Sequence, residues 1–276
     1  MFKTQPTLAY ILTAIILLLS FAASAGGIFV GDLYRDTAFS EAAWFGNDLI
    51  TLVIAVPLLV GTLIFSIRGS GLAQLIWLGM LDYTLYNYAF YLFGTAFNLF
   101  FLIYVGIFAL SILALIFALP KVDINRLKAV FETRLPSRGI SLYMLFVAAG
   151  LGGVEITQWA NFILKQQLPM VIENTTPATH VIVALDLSLV VPYFLLGAIW
   201  LWQKKPWGFM IATIMNVKGT IYMMALTAAT ASITQAGFTE AAAELPIWIF
   251  LQLSSLIASV ILLRSFQASN RISDKS

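Results

Sequence analysis

The chain has 276 residues, of which 61% are hydrophobic and 10% are charged, and its formal net charge at pH 7 is +2. Soluble domains average about 45–50% apolar and 25% charged residues, so a water-soluble fold could not cover this apolar surface. The sequence contains no cysteine and one histidine, which excludes disulfides, thiolate sites and histidine-rich metal centres. We therefore predict no metal and no cofactor. Basic residues are spread among loops, so no nucleic-acid partner is predicted.

Apolar stretches of about 20 residues, the length that crosses a bilayer, recur along the chain. They fall at residues 8–30, 47–67, 72–93, 97–119, 140–163, 179–202, 207–229 and 245–266. The sequence therefore predicts an all-α transmembrane protein, an eight-helix bundle whose outer surface contacts the lipid bilayer.

Basic residues collect in alternate loops, which the positive-inside rule places in the cytoplasm. These residues are Lys3, Arg68, Lys121, Arg126, Lys128, Arg134, Arg138, Lys204, Lys205, Arg264, Arg271 and Lys275. The opposite loops contain Arg35 and Lys165 and the acids Asp32, Asp36, Glu41, Glu173, Glu240 and Glu244. Both termini are therefore predicted to be cytoplasmic.

The first apolar stretch has a second interpretation. Lys3, the apolar run and the "AASAGG" that follows resemble a secretory signal peptide cleaved after Ala25. Either interpretation places the next loop outside, so the predicted topology of the remaining chain is the same.

Two parts of the chain resemble each other. "VPLLVGTLIF" from residue 56 recurs as "VPYFLLGAIW" from 191, and "DYTLYNYA" from 82 recurs as "KGTIYMMA" from 218. Pro57 maps to Pro192 at a separation of 135, and Thr84 maps to Thr220 at 136. Such a sustained spacing indicates an internal repeat, although apolar helices can also match by chance.

The repeat predicts two parallel four-helix units, residues 1–119 and 140–276, related by an axis along the membrane normal. Residues 120–139 would form a cytoplasmic linker that contains an amphipathic helix. Its apolar positions share one helical face and are Ile124, Leu127, Val130 and Phe131. We predict that this face lies on anionic lipid, with docking onto a partner as the alternative.

Polar residues inside the spans are the candidate functional residues, because a charge at the bilayer centre costs about 2.5–3.5 kcal/mol and usually has partners. The repeat makes Lys218 the counterpart of Asp82 near mid-membrane, and each is followed four residues later by a tyrosine on the same helical face. The predicted intramembrane polar site comprises Asp82, Lys218, Glu155, Asp186, Tyr86, Tyr222, Asn87 and Gln158. A second polar stripe at spacing four comprises Tyr83, Asn87 and Tyr91.

Two functions are consistent with this pattern. In the first, a small-solute or ion/proton transporter or channel has a water-accessible vestibule, closed at mid-membrane by an Asp82–Lys218 ion pair. In the second, a non-transporting scaffold, assembly factor or sensor uses the same network only to hold its helices together. Enzyme chemistry is the weakest prediction: Lys218 lies on the next-to-last helix rather than the last, unlike a retinal-binding lysine, and His180 has no metal-ligand motif beside it.

Two blocks resemble sequences from a group of uncharacterised bacterial polytopic membrane proteins. They are "DLSLVVPYFLLGAIWLWQKKPWGFMIATIMNVKGT", residues 186–220, and "DYTLYNYAFYLFGTAFNLFFLIYVGIFALSILAL" from residue 82, and together they cover about a quarter of the chain. The resemblance implies a multi-pass protein of the bacterial cytoplasmic (inner) membrane and brings no activity with it.

Overall fold

The computed structural model describes residues 1–132, 135–175 and 180–273. Within these ranges the secondary structure is helical, with one isolated β-bridge between Phe2 and Val122. The prediction of an all-α protein is therefore confirmed.

The α-helices follow one another with short connections. They are α1 (Thr7–Phe29), α2 (Ala38–Ile50), α3 (Val56–Ile67), α4 (Gly71–Gly94), α5 (Phe101–Ala118), α6 (Ile124–Glu132), α7 (Ser137–Lys165), α8 (Met170–Asn174), α9 (Val181–Leu185), α10 (Val191–Trp202), α11 (Pro206–Gln235) and α12 (Leu245–Ser273). Two π-helices, Thr51–Ala55 and Asp186–Val190, join α2 to α3 and α9 to α10. Short 3₁₀ helices occupy Leu119–Lys121 and Thr239–Glu244.

Seven helical stretches of the described chain are long and apolar enough to cross a membrane. They are Thr7–Phe29, Ala38–Ile67, Phe101–Lys121, Ser137–Lys165, Val181–Trp202, Pro206–Gln235 and Thr239–Gln267. The remaining predicted span, residues 72–93, corresponds to α4, which is 24 residues long but is not among the apolar seven. Its tyrosines, amides and acid lower its hydropathy, and 16 of its 24 residues are buried, so it faces protein more than lipid.

The helices α4 and α11 form the centre of the bundle. A Cβ atom added at Gly79 of α4 would lie 2.6 Å from the Cβ of Val217 on α11, so the two helices meet closely at this glycine. On another side of α11, a Cβ at Gly46 of α2 would lie 2.4 Å from the carbonyl oxygen of Ala228. Small residues allow this close approach of helix backbones, as is typical of membrane bundles.

A proline lies two residues after the end of each π-helix. The amide of Val56 bonds to the carbonyl of Thr51, and the amide of Val191 bonds to the carbonyl of Asp186, which is the five-residue spacing of a π-helix. Pro57 and Pro192 stand in the first turn of the helices that follow, where a missing amide hydrogen costs little.

These backbone features recur at a separation of 135, which also relates Gly71 and Pro206, the first residues of α4 and α11. The separation is one less than the 136 that aligns Asp82 with Lys218. The internal repeat itself stays a prediction.

The bundle has two chemically different ends. At one end, a bridge joins Phe2 to Val122, and a Cβ at Gly71 would touch both Phe266 and Met1. This basic end therefore gathers the N-terminal segment, the α3–α4 turn and the last turns of α12. At the acidic end, the Asp36 side chain accepts a hydrogen bond from the Ala96 amide, while Thr37 donates to the Asn174 carbonyl oxygen.

The linker helix α6 packs on protein instead of lipid. Leu127 and Phe131 are buried, and the Phe131 ring stacks on Phe209 of α11 and contacts Phe266 of α12, each with ring centroids 5.6 Å apart. The prediction of a lipid-facing apolar side is wrong, because amphipathicity identifies a face that is buried without identifying what covers it.

Candidate functional site

A buried ion pair lies between the two central helices. Asp82 is close to the middle of α4, and Lys218 is close to the middle of α11. The Lys218 Nζ lies 3.6 Å from the Asp82 Oδ2, and the side chains are 5% and 21% exposed, respectively. The structure thus brings together the acid and the base that the sequence aligned, at a distance longer than a tight charge-assisted hydrogen bond.

Tyr86 connects this pair to a second acid. The Lys218 Nζ lies 4.1 Å from the centroid of the Tyr86 ring, so the lysine also makes a cation–π contact. Tyr86 follows Asp82 by one turn of α4, and its hydroxyl donates a short hydrogen bond to the Asp186 Oδ1. Tyr222 packs edge-on against Tyr86, with ring centroids 4.7 Å apart.

Glu155 of α7 completes the group. It is buried, interacts electrostatically with Asp186, and its Oε2 has no hydrogen-bond partner. Gln158, three residues further along α7, also has an unpartnered side-chain oxygen. Buried polar atoms normally find partners, and these two oxygens are among the buried polar atoms of the described chain that have none.

We call this group the lysine cluster. Its members are Asp82, Lys218, Tyr86, Tyr222, Asp186 and Glu155. It holds three carboxyl groups and one ammonium, and Lys218 also interacts electrostatically with Asp186. If every group were ionised, two negative charges would be uncompensated inside the membrane, which is strongly unfavourable. Protonation of carboxyl groups, or a cation beside them, would relieve this excess of negative charge.

Asn87, predicted as part of the same site, belongs to a different group on the opposite side of α4. Its side-chain oxygen accepts a hydrogen bond of 3.0 Å from Asn47 of α2. One turn earlier on α4, the Tyr83 hydroxyl is 3.0 Å from the Thr51 hydroxyl. One turn later, the Tyr91 hydroxyl donates a hydrogen bond of 2.8 Å to Asp48. The stripe of polar residues at spacing four thus faces α2 and the first π-helix.

We call this second group the tyrosine cluster. Its members are Asp48, Tyr34, Tyr91, Asn47, Asn87, Thr51 and Tyr83. Asp48 is only 2% exposed and accepts hydrogen bonds from Tyr34 at 2.5 Å and from Tyr91 at 2.8 Å. Asp48 was not among the residues of the predicted intramembrane polar site. The signal that could have revealed it was Tyr91, which completes the polar stripe.

Access to the lysine cluster is narrow in this conformation. Two grooves on the described surface lie elsewhere: one runs between α3 and α4 beside Gly61 and Ile76, and the other lies at the start of α1 beside Lys121. Neither groove is lined by a member of the lysine cluster. The water-accessible vestibule stays a prediction.

His180 stands apart from both clusters. It precedes α9, and its Nδ1 accepts a hydrogen bond of 3.4 Å from the Val183 amide, so it serves as the N-cap of that helix. Burial lowers the pKa of its imidazole from the usual 6.5, which favours the neutral form that can accept this bond. Across the described chain, acids and His180 form no group of three or more that could hold a metal ion.

These helices and buried polar groups define a multi-pass α-helical membrane protein. No protein-family model, curated protein or solved structure matches the chain. The resemblance to a bacterial membrane-protein group therefore stays a prediction from the two sequence blocks.

Proposed function

We propose that the protein is an ion transporter or channel whose ion-binding site is the lysine cluster. The observation that supports this best is the excess of carboxyl groups over cations, three against one, together with the unpartnered Oε2 of Glu155. A group that only held helices together would gain most from short, fully satisfied hydrogen bonds. The loose Asp82–Lys218 contact and the open acceptor are better suited to a site that gains and loses a positive charge.

In this proposal α4 is the eighth span and crosses the membrane inside the bundle. The basic end would face the cytoplasm of a bacterial cell, with both termini on that side of the inner membrane. Glu155 and Asp186 would then lie between the Asp82–Lys218 pair and the acidic outer end. A cation entering from outside would meet the two carboxyl groups first and the lysine last.

Two four-helix units with the same orientation would place the site at their interface, because Asp82 belongs to the first unit and Lys218, Asp186 and Glu155 belong to the second. Parallel-repeat carriers bind substrates near mid-membrane between their repeats. The recurrence of a π-helix and a proline at a separation of 135 supports such a duplication.

The second candidate function is a non-transporting scaffold, assembly factor or sensor. The observation that favours it is the near-complete burial of Lys218, together with surface grooves that do not reach it. In that case the lysine cluster contributes to packing and leaves the ion permeability of the membrane unchanged.

Purified full-length protein in proteoliposomes separates the two functions. We expect protein-dependent flux of a proton or a monovalent cation, and a loss of about tenfold or more in Lys218→Met, because the carboxyl groups would then hold the entering cation with no ammonium group to displace it. Lys205→Met is the matched control, because that lysine lies at the basic end beside Trp200. Equal flux in vesicles with and without the protein would reject transport of these ions.

A further inference from the structure

The tyrosine cluster contains a buried acid, Asp48, that forms no ion pair with Lys218 of the lysine cluster. In the described chain, no basic nitrogen lies within 4.0 Å of the Asp48 carboxyl group. The titratable side chains near Asp48 are all tyrosines: Tyr34 from the α1–α2 loop, Tyr83, Tyr88 and Tyr91 from α4, and Tyr104 from α5. A carboxylate in such surroundings requires a positive charge of its own, either a proton or a bound cation.

The packing around Asp48 favours the proton. A Cβ added at Gly27 of α1 would lie 1.8 Å from the Asp48 Oδ2 and 2.6 Å from the Tyr34 hydroxyl, so the backbone of α1 closes this side. The other oxygen, Oδ1, is covered by the Tyr91 hydroxyl at 2.8 Å. A hard cation gathers about six or more oxygen ligands, whereas a proton needs one bond and no coordination shell.

Tyr34 links Asp48 to the acidic end of the bundle. It belongs to the loop between α1 and α2, its side chain is partly exposed, and its hydroxyl is the group that contacts Asp48. The Tyr104 hydroxyl interacts electrostatically with Tyr34, but it is buried without a hydrogen-bond partner. The Tyr34 hydroxyl is therefore the group that joins the loop at this end to the buried acid.

We propose that Asp48 is a proton-binding site that exchanges with water at the acidic end through Tyr34. On protonation, the Tyr34 hydroxyl proton moves to the Asp48 Oδ2, and the tyrosine oxygen takes a proton from a hydronium ion at the acidic end, which is left as water. One O–H bond forms for each one that breaks, and the carboxyl group gains the incoming proton. This inference rests on the proposed function and names the proton as the ion that enters from this end.

The central helix α4 connects this site to the lysine cluster. Tyr91 of α4 contacts Asp48, and Tyr86, five residues earlier, contacts Asp186. Three residues before Tyr86, Tyr83 lies within hydrogen-bond distance of Thr51 and interacts electrostatically with Tyr222. Both acids therefore contact the same central helix.

The test combines proton flux with infrared difference spectroscopy of the full chain in liposomes. A step in external pH should produce a carboxylic C=O band from Asp48, identified as the pH-dependent band of the wild type that is missing in Asp48→Asn. Tyr34→Phe should keep the band but slow its appearance about tenfold, because the relay hydroxyl is gone while Asp48 remains. Glu41→Gln and Tyr193→Phe, which change exposed residues on α2 and α10, should leave both readouts unchanged.

Three results would overturn the inference. One is a set of pH-dependent carboxylic C=O bands that is the same in Asp48→Asn as in the wild type, and another is a wild-type rate of appearance of the Asp48 band in Tyr34→Phe. The third is wild-type sodium flux that depends on Lys218 without any Asp48 band, which would leave transport standing and exclude the proton site. The opposite pattern, an Asp48 band that titrates in a protein with no ion flux, would reject the proposed function and keep the Asp48 site.

Discussion

The two buried clusters use their acids differently, although both lie against α4. In the tyrosine cluster each oxygen of Asp48 accepts one hydroxyl hydrogen bond, at 2.5 and 2.8 Å, and no cation is near. In the lysine cluster the acid and the ammonium are 3.6 Å apart, and the Oε2 of Glu155 is unpartnered. Asp48 is surrounded by neutral hydroxyl donors, whereas the lysine cluster places negative and positive side chains beside one another. Substitutions in each cluster should distinguish these two arrangements.

The largest effect should come from breaking the ion pair. Asp82→Asn leaves the buried Lys218 without its closest carboxylate and should reduce the free energy of unfolding by about 3–5 kcal/mol, the usual cost of an unpaired buried charge. Thermal unfolding in detergent, followed by size-exclusion chromatography, measures the loss. The exchanged double variant Asp82→Lys with Lys218→Asp should recover most of it. A double variant as unstable as the single one would show that orientation of the pair matters more than its charges.

The next effect concerns the contact that holds α4 against α11. Gly79→Ala places a methyl group 2.6 Å from the Cβ of Val217, a stiff branched side chain, and should destabilise the fold by about 1–3 kcal/mol. Val217→Gly, which removes both the Cβ and the Cγ1 that the new methyl group would meet, should relieve the collision in the double variant. Gly61→Ala is the matched control, because a Cβ at Gly61 meets nothing within 4 Å. Equal melting temperatures for Gly79→Ala and Gly61→Ala would contradict the close approach of the central helices.

A smaller effect is expected from removing one hydroxyl from the tyrosine cluster. Tyr91→Phe deletes the donor to the Asp48 Oδ1 and should cost about 1–3 kcal/mol, because the oxygen stays buried without that bond. If the lost hydrogen bond alone explains the result, the additional change Asp48→Asn should add little, since the two sites share one interaction. Fully additive losses would indicate that Tyr91 and Asp48 act independently.

The smallest effect should appear outside both clusters, at His180. Its folded-state pKa is lowered from 6.5, so the unfolded chain binds more protons than the folded chain as the pH falls through this region. The capping contribution of His180 is therefore present above pH 6.5 and is lost at lower pH. His180→Asn keeps a side-chain acceptor that does not titrate, and it should flatten the acid side of a plot of melting temperature against pH. If the slope of melting temperature against pH is unchanged, the His180 cap is not the source of the stability lost in acid.

Much of the fold could be predicted from the sequence, because hydrophobic length is nearly sufficient to place membrane helices. The limits of that signal appear at α4, whose polar side chains face protein, and at α6, whose apolar face covers α11 and α12 rather than lipid. In both elements the local pattern was clear, but the identity of the neighbour depended on packing between distant parts of the chain.

The candidate site was predictable in part for a related reason. Asp82 and Lys218 stood out as charges within apolar runs, and spacing along one helix placed Tyr86 with Asp82. The tyrosine cluster depends on Tyr34, which lies in a loop, and on Gly27, whose only contribution is the space it leaves. Neither residue has a periodic signal, so only the assembled helices reveal their contact with Asp48.

The two π-helices have a mechanical consequence for the acids that precede or begin them. A π-helix holds about one residue more per turn than the surrounding α-helix, so moving that wide turn along the helix turns each residue that it passes by about 100°. Asp48 lies just before the first wide turn, and Asp186 opens the second, whereas Pro57 and Pro192 follow them. Each acid could thus swing toward or away from α4 by a screw motion within its own helix, with no need for the whole bundle to rock.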